Sequence, residues 1–137
     1  MLSELMQKLS NDISEIDYDD TGVTGNIFQD VLPTEPDIAV MVKGTGGFPK
    51  DMFLVDYAEP TVQIIVRGTR DPRVAREIID EIVETIGTFG GQKFVAGGNW
   101  HIIKCHAIQP QGIYIGPDDN NRHRFSINFE LEIKKEE

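Results

Sequence analysis

Residues 61–87, TVQIIVRGTRDPRVAREIIDEIVETIG, constrain the fold more than any other part of this sequence. The first half predicts a strand in which Val62, Ile64 and Val66 lie on one face and Ile65 lies on the other. Apolar residues on both faces are typical of a strand that is covered on both sides. The segment therefore predicts a central strand of a sheet.

The second half of the segment predicts the clearest helix in the chain. Apolar residues recur at helical spacing from Ala75 to Ile86, while charged residues take the other side. Asp71 is a favourable N-cap, Pro72 suits the first helical position, and Gly87 provides the C-terminal stop. We expect this helix to cover the sheet, with solvated arginines in the turn that precedes it.

The rest of the sequence predicts one more helix and several strands. Residues 1–16 place their leucines and isoleucines on one helical face. Strands are expected at residues 27–32, 37–44, 93–112 (one or two strands bent at the paired glycines) and 124–135. The last of these alternates most cleanly and is expected to be antiparallel, with one face in solvent.

This order of elements predicts an α+β fold. We expect a single domain over residues 1–137, with a mixed or mostly antiparallel sheet. Two helices, the N-terminal one and 71–87, are expected to pack on that sheet. A long connection, residues 44–56, joins two of the strands.

Charge and cysteine content argue against several classes of protein. The formal net charge of −10 disfavours a protein that reads nucleic-acid sequence, because such a protein carries a basic stripe. The single cysteine, Cys105, leaves no internal disulfide framework and fits a reducing compartment. The sequence has no apolar run approaching the roughly 20 residues of a membrane span, and none typical of a signal peptide. We therefore expect a cytoplasmic protein that does not contact membranes.

The turn before the second helix, VRGTRDPR, resembles a phosphate site only superficially. Such a site needs converging backbone N–H groups. Here Gly68 is the only glycine, Pro72 lacks an N–H, and Asp71 places a carboxylate where the phosphate would lie. The loop GTGGFP is likewise a poor dinucleotide-binding motif, because Pro49 occupies the third glycine position.

The segment DYDDTGVTGNIF has some features of a calcium-binding loop. Asp17, Asp19 and Thr21 stand at ligand positions, but Phe28 stands where a bidentate carboxylate is required. We interpret the segment as a solvated acidic turn.

The segment HIIKCH suggests zinc, but its spacing is wrong for one metal ion. On a regular strand, His101 and Cys105 share a face at about 13 Å, from about 3.3 Å per residue, and His106 points to the other face. Zinc ligands must converge to about 2.0–2.3 Å from one ion. Because Cys105 alternates with apolar residues, we interpret it as a core residue. The sequence therefore predicts no catalytic residue, metal site or cofactor.

Two blocks in the middle of the chain match the pattern of a known family. One is an alternating strand followed by x-x-Gly-Gly-x-Pro, and the other is Tyr-x-x-Pro-Thr-Val-Gln-hydrophobic-x-Val-Arg-Gly. The matching residues are Val40, Val42, Gly46, Gly47 and Pro49 in the first block and Tyr57, Pro60, Thr61, Val62, Gln63, Val66, Arg67 and Gly68 in the second. On these residues the chain, over roughly residues 25–133, resembles the minor capsid or tail-terminator proteins of long-tailed bacteriophages and prophages.

The resemblance implies a structural role in the virion, with no catalytic residue. Such proteins form a homo-hexameric ring that caps the growing tail tube, stops its polymerisation and faces the head–tail connector or stopper protein. Assembly would take place in the cytoplasm of the bacterial host. DNA would pass through the ring without specific binding, which suits an acidic surface.

We expect the 44–56 connection and the arginine turn to contact a neighbouring subunit or the tail tube. The candidate interface residues are Gly46, Gly47, Phe48, Pro49, Arg67, Arg70, Asp71 and Arg73. Two other functions stay open from the sequence alone. They are a head completion or stopper protein, and a small cytoplasmic ligand-binding α+β domain.

Overall fold

In the part of the chain that the structure describes, alternating apolar residues build one mixed sheet of nine strands, and two helices pack with it. A computed structural model describes residues 1–21, 24–47 and 56–135. The helices are α1 (Leu2–Asp12) and α2 (Pro72–Ile86). The strands are β1 (Ile27–Gln29), β2 (Ala39–Gly47), β3 (Tyr57–Ala58), β4 (Pro60–Arg67), β5 (Thr88–Phe89), β6 (Gln92–Lys93), β7 (Trp100–Ala107), β8 (Ile113–Pro117) and β9 (His123–Lys135).

The strand order confirms the predicted α+β class and the central position of β4. The main order is β1-β2-β4-β9-β7-β5, so β4 lies between β2 and β9. The pairing of β1 with β2 is parallel, and the other pairings are antiparallel. The long strand β9 pairs with two strands along the edge opposite β4. Its first half pairs with β8, and its second half pairs with β7.

The core lies between the helices and one face of the sheet. On β9 the predicted inward residues are all buried, and they pack with the apolar faces of α1 and α2. They are Phe125, Ile127, Phe129, Leu131 and Ile133. Burial of each such side chain stabilises the fold by about 1.5–3 kcal/mol. The opposite face of β9 is less open to solvent than expected, since Ser126 is buried there and accepts a hydrogen bond from Gln63.

Helix α2 begins and ends where the sequence predicts. The Asp71 carboxylate accepts a hydrogen bond from the Arg73 N–H, Pro72 occupies the first turn, and Gly87 is the C-cap. Helix α1 is shorter than the predicted 1–16, because the backbone becomes extended at Ile13. Ile13 and Ile16 are nevertheless buried. The apolar spacing of residues 1–16 therefore predicted correctly that these residues are in the core, but wrongly that they continue the helix.

Two strand boundaries also differ from the prediction. The strand expected at 27–32 ends at Gln29, because Asp30 has a φ of 63°, which an extended strand cannot accommodate. The strand expected at 37–44 starts later and continues to Gly47 through a bulge. The following part of the predicted 44–56 connection, residues 48–55, lies outside the described residues.

A bulge in β7 overturns the predicted faces of the histidines. The register shifts between Ile102 and Lys104, so Ile102 and Cys105 both point into the core although they are three residues apart. His101 therefore does not share a face with Cys105. It lies on the same outer face as His106, because the partners of the two histidines, Lys134 and Glu130, are separated by an even number of residues on β9.

Candidate functional site

The turn between β4 and α2 is built around a buried arginine. Arg67 is only 3% exposed, and its guanidinium donates to the carbonyl oxygens of Asp37 (Nε, 3.0 Å) and Pro36 (Nη2, 2.6 Å). Burial, with a smaller contribution from the charge of Arg122, lowers the pKa of Arg67. Arginine is effectively always protonated in proteins, so the buried charge is held by the carbonyl dipoles around it. The expectation of a solvated side chain was wrong for Arg67.

A second buried arginine, which the sequence reasoning missed, reaches the same loop. Arg122 is 6% exposed, and its Nε donates to Asp118 Oδ2 at 2.9 Å. Its Nη1 contacts the carbonyl oxygen of Thr34 and Asp37 Oδ1, at 2.5 and 3.1 Å. Two arginines from adjoining strands and turns thus hold residues 34–37 against the end of the sheet. The Asp-x-x-x-Arg spacing from Asp118 to Arg122 was the one local signal available in the sequence.

The carboxylate of Asp118 is tied into this cluster. Burial alone would raise its pKa, but the backbone N–H groups of Arg122 and Asn120 donate to it and the Arg122 charge lies beside it. The net effect lowers the pKa of Asp118. Arg122 and Asp118 therefore form a charged pair at neutral pH that is directed inward rather than toward a partner.

Two adjoining clefts open beside the arginine cluster. The larger has a volume of about 570 Å³ and is lined by Glu35, Asp37, Thr69, Arg70, Asp71, Asn120 and Arg122. The smaller has a volume of about 280 Å³ and is lined by Leu32, Thr34, Arg67, Asp118, Asp119, Asn120, Arg122 and Arg124. Small-molecule sites are mostly apolar with few polar groups. Apart from Leu32, the residues that line these clefts are polar or charged, which suits contacts with a charged protein surface better than binding of a metabolite.

The predicted interface residues at the rim of the larger cleft differ in whether they bind another residue of the chain. Asp71 is bound within the chain, since Arg73 donates to it through the backbone N–H (3.0 Å) and through Nη2 (2.9 Å). The hydrogen bond from the Arg73 side chain is the main cause of a lowered pKa of Asp71. Arg70 is exposed and forms no ion pair with any residue in the described ranges.

The glycine pair of the predicted interface lies at the other end of β4. Gly46 and Gly47 have φ values of 94° and 126°. Gly47 pairs with Pro60, and a Cβ there would lie 2.3 Å from the Glu59 carbonyl oxygen, so only glycine fits. Pro60 and Arg67 are the two ends of β4, about 23 Å apart at about 3.3 Å per residue. The structure therefore separates the two groups of predicted interface residues.

Phe48 and Pro49, the remaining predicted interface residues, lie outside the described residues.

Two of the candidate metal ligands, Asp19 and Cys105, are held within the fold. Asp19 accepts hydrogen bonds from the hydroxyl groups of Thr21 and Thr24, and these and the backbone donors lower its pKa. Cys105 is buried, and its burial raises the pKa of the thiol to about 12. Within residues 1–21, 24–47 and 56–135, no three histidine, cysteine or acidic side chains are placed to share a metal ion.

Neither helix of the described chain is long and apolar enough to cross a membrane.

Comparison with known proteins identifies the family. The family described as "Bacteriophage tail terminator protein" matches the chain over residues 8–135, which include all of α2, the last part of α1 and every strand of the described residues. A comparison with curated proteins gives no significant match. The match confirms the resemblance seen in the two central sequence blocks. Tail terminators are structural phage proteins. The chain belongs to the bacteriophage tail terminator protein family.

Proposed function

We propose that this protein assembles into a closed ring, a homo-hexamer, that caps the tail tube. In that position it stops polymerisation of the tube and joins the tail to the head connector or stopper protein. The family match over residues 8–135 carries the proposal.

The surface charge supports the passage of DNA through such a ring. The chain has a net charge of −10, and α2 exposes a run of acids that includes Glu77, Asp80 and Glu84. Burial, together with the charges of Glu15, Glu84 and Glu77, raises the pKa of Glu81 beside them. A surface of this sign repels phosphate and offers DNA no specific contact.

Arg70 is the member of the arginine turn best placed to contact a partner. It is exposed at the rim of the larger cleft, whereas Arg67 is buried and Arg73 is bidentate on Asp71. We propose that Arg70 pairs with an acidic side chain of the tail tube or of a neighbouring subunit. Arg67 then contributes indirectly, by fixing the turn that presents Arg70. The glycine end of β4, with Gly46 and Gly47, would contact a different part of the assembly.

The test is polymerisation of the tail-tube protein of the same phage, observed by negative-stain electron microscopy. We expect added terminator to shorten the tubes and to appear as a ring of density at one tube end. Tubes of unchanged length without end density, together with binding to the isolated head connector, would instead indicate a head completion or stopper protein.

A matched pair of variants tests the contribution of Arg70. Arg70→Glu should weaken capping, because it places a like charge opposite the acid of the partner. Lys43→Glu makes the same change in charge at an exposed residue of β2, at a distance from the turn, and should cap normally. Equal capping by the two variants would contradict the assignment of Arg70 to an interface.

A further inference from the structure

The exposed large apolar side chains of the described residues are confined to the two sides of the sheet. One is next to β1, and the others are on or beside β7 and β8. They are Val31 (57% exposed), Ile103 (40%), Ile108 (49%), Ile113 (49%), Tyr114 (45%) and Ile115 (41%). Three consecutive exposed apolar residues on one strand are unusual on a soluble surface and indicate a protein contact.

Both β1 and β8 are edge strands. Within the described residues, β1 pairs only with β2, and β8 pairs only with β9. An unpaired edge offers backbone N–H and C=O groups to another chain. The sheet thus has two different open edges: the short strand β1 forms one, and the apolar strand β8 forms the other.

The two edges lie at the same level of the sheet. The pairing registers connect them through two continuous five-strand rows. The rows are Ile27–Val40–Val66–Phe125–Tyr114 and Phe28–Met41–Ile65–Ser126–Ile113. Four strand spacings separate the ends of a row, or about 19 Å at about 4.8 Å each. A second copy displaced sideways along these rows would bring its β1 level with β8 of the first.

The β8 edge carries positive charge. Arg124 donates to the carbonyl oxygens of Gly116 and Pro117, at 3.3 and 3.2 Å. Arg76 donates to the carbonyl oxygen of Gly112 at 2.9 Å. Two guanidinium groups therefore flank the exposed apolar residues of β8.

The β1 edge is complementary to the β8 edge in its apolar lining and in the sign of its charges. A groove of about 320 Å³ runs beside β1, and Met6, Tyr18, Phe28 and Val31 supply its apolar lining. Asp19 and Asp20 stand in the same groove. Hydrogen bonds from Thr21 and Thr24 lower the pKa of Asp19, so it is charged at neutral pH.

We propose that β8 of one subunit docks on the β1 edge of the next subunit, with its isoleucines in the groove beside β1. This inference rests on the proposed ring, since the contact joins two different surfaces of one chain head to tail, as a closed ring requires. The strands are correctly oriented for it, because β8 runs antiparallel to β1 across the sheet. A symmetric contact of two β8 edges is disfavoured, because it would bring arginines against arginines.

Cross-linking of two variants, each with one cysteine added to the buried Cys105, tests the contact directly. Gln29→Cys places a thiol on the exposed β1 edge, and Ile113→Cys places one on β8. The two variants, tagged to differ in mass, are mixed with the tail-tube protein and treated with a short bifunctional maleimide. We expect a cross-link between the two variants and little between like copies. The native protein is the control, because Cys105 is buried with a pKa of about 12 and should not react.

A charge substitution tests whether the contact matters for assembly. Ile113→Asp should raise the concentration needed for half-assembly at least about tenfold, since an unpaired carboxylate buried at an interface costs more than about 1.4 kcal/mol. Ile103→Asp is the matched control, an exposed isoleucine on β7 outside the proposed contact. Both variants should keep the native melting temperature within a few degrees, because both side chains are largely exposed.

The outcomes of these experiments distinguish a failure of the proposed β8–β1 contact from a failure of the proposed ring. A six-fold assembly without the mixed cross-link, and with normal assembly of Ile113→Asp, would overturn the docking surface and leave the ring intact. A cross-link only between two Ile113→Cys copies would indicate a symmetric β8 contact and would also overturn it. The lack of any assembly, with or without the tube protein, would overturn both proposals.

Discussion

At the scale of residues, the buried arginines explain why the end of the sheet holds its shape. Arg67 and Arg122 are enclosed, and each is bound to carbonyl or carboxylate oxygens of residues 34–37 or of Asp118. Removal of one guanidinium would take away the hydrogen bonds that a buried charged side chain donates to this loop, which costs more than the loss of an exposed ion pair.

Arg67→Met should therefore lower the free energy of unfolding by about 2–4 kcal/mol. Arg70→Met is the matched control, since Arg70 is exposed and unpaired within the described chain, and it should change the free energy by less than about 0.5 kcal/mol. Urea denaturation followed by circular dichroism measures both. Similar losses for the two variants would show that burial of Arg67 does not stabilise the turn.

The sequence could not predict this cluster, for a physical reason. The partners of Arg67 lie about thirty residues upstream, and two of the partners of Arg122, Thr34 and Asp37, lie even further away in the chain. Nothing local in VRGTRDPR distinguishes an arginine that reaches the carbonyl groups of a distant loop from one that reaches water. Arg70 and Arg73 were correctly expected to be exposed.

At the scale of elements, α2 depends on a cap whose strength varies with pH. Arg73 holds the pKa of Asp71 below its ordinary value. A carboxyl group with a lowered pKa in the folded state contributes stability at pH values above its unfolded pKa of about 3.9. That contribution is lost as the pH falls through the folded pKa.

A comparison of the native protein with Asp71→Ala and Asp71→Asn separates the stabilisation by the helix cap from the stabilisation by the charge of Asp71. Asp71→Ala should melt a few degrees below the native protein at pH 7, because it removes the acceptor for the Arg73 N–H. Asp71→Asn keeps an acceptor and should melt closer to the native protein. The difference between Asp71→Asn and the native protein should shrink on acidification to about pH 3, below the unfolded pKa. A difference that is independent of pH would contradict an ionic contribution from Asp71.

The elements that the sequence predicted well are those with local signals. The cap and stop of α2 and the alternation of β9 both appear in consecutive residues. The bulge in β7 and the early end of α1 interrupt the regular spacing of apolar residues. A prediction that assumes strict periodicity therefore placed His101 on the wrong face and made α1 too long. The edge positions of β1 and β8 depend on the strand order of the whole sheet, which no single segment encodes.

At the scale of the whole molecule, the fold places different surfaces at the two sides of one sheet. The β1 edge has an acidic apolar groove, and the β8 edge has exposed isoleucines flanked by arginines. The arginine clefts and Arg70 lie at one end of β4, and the paired glycines lie at the other end. In the proposed ring, the sides of the sheet would contact the neighbouring subunits, and its ends would face the tube and the head.

Native mass spectrometry of the protein, alone and with the tail-tube protein of the same phage, tests this account most directly. We predict a mass six times that of the 15.4 kDa chain in at least one of the two samples. A monomer or a dimer in both samples would contradict the proposed ring, and with it the assignment of β1 and β8 as its joining edges.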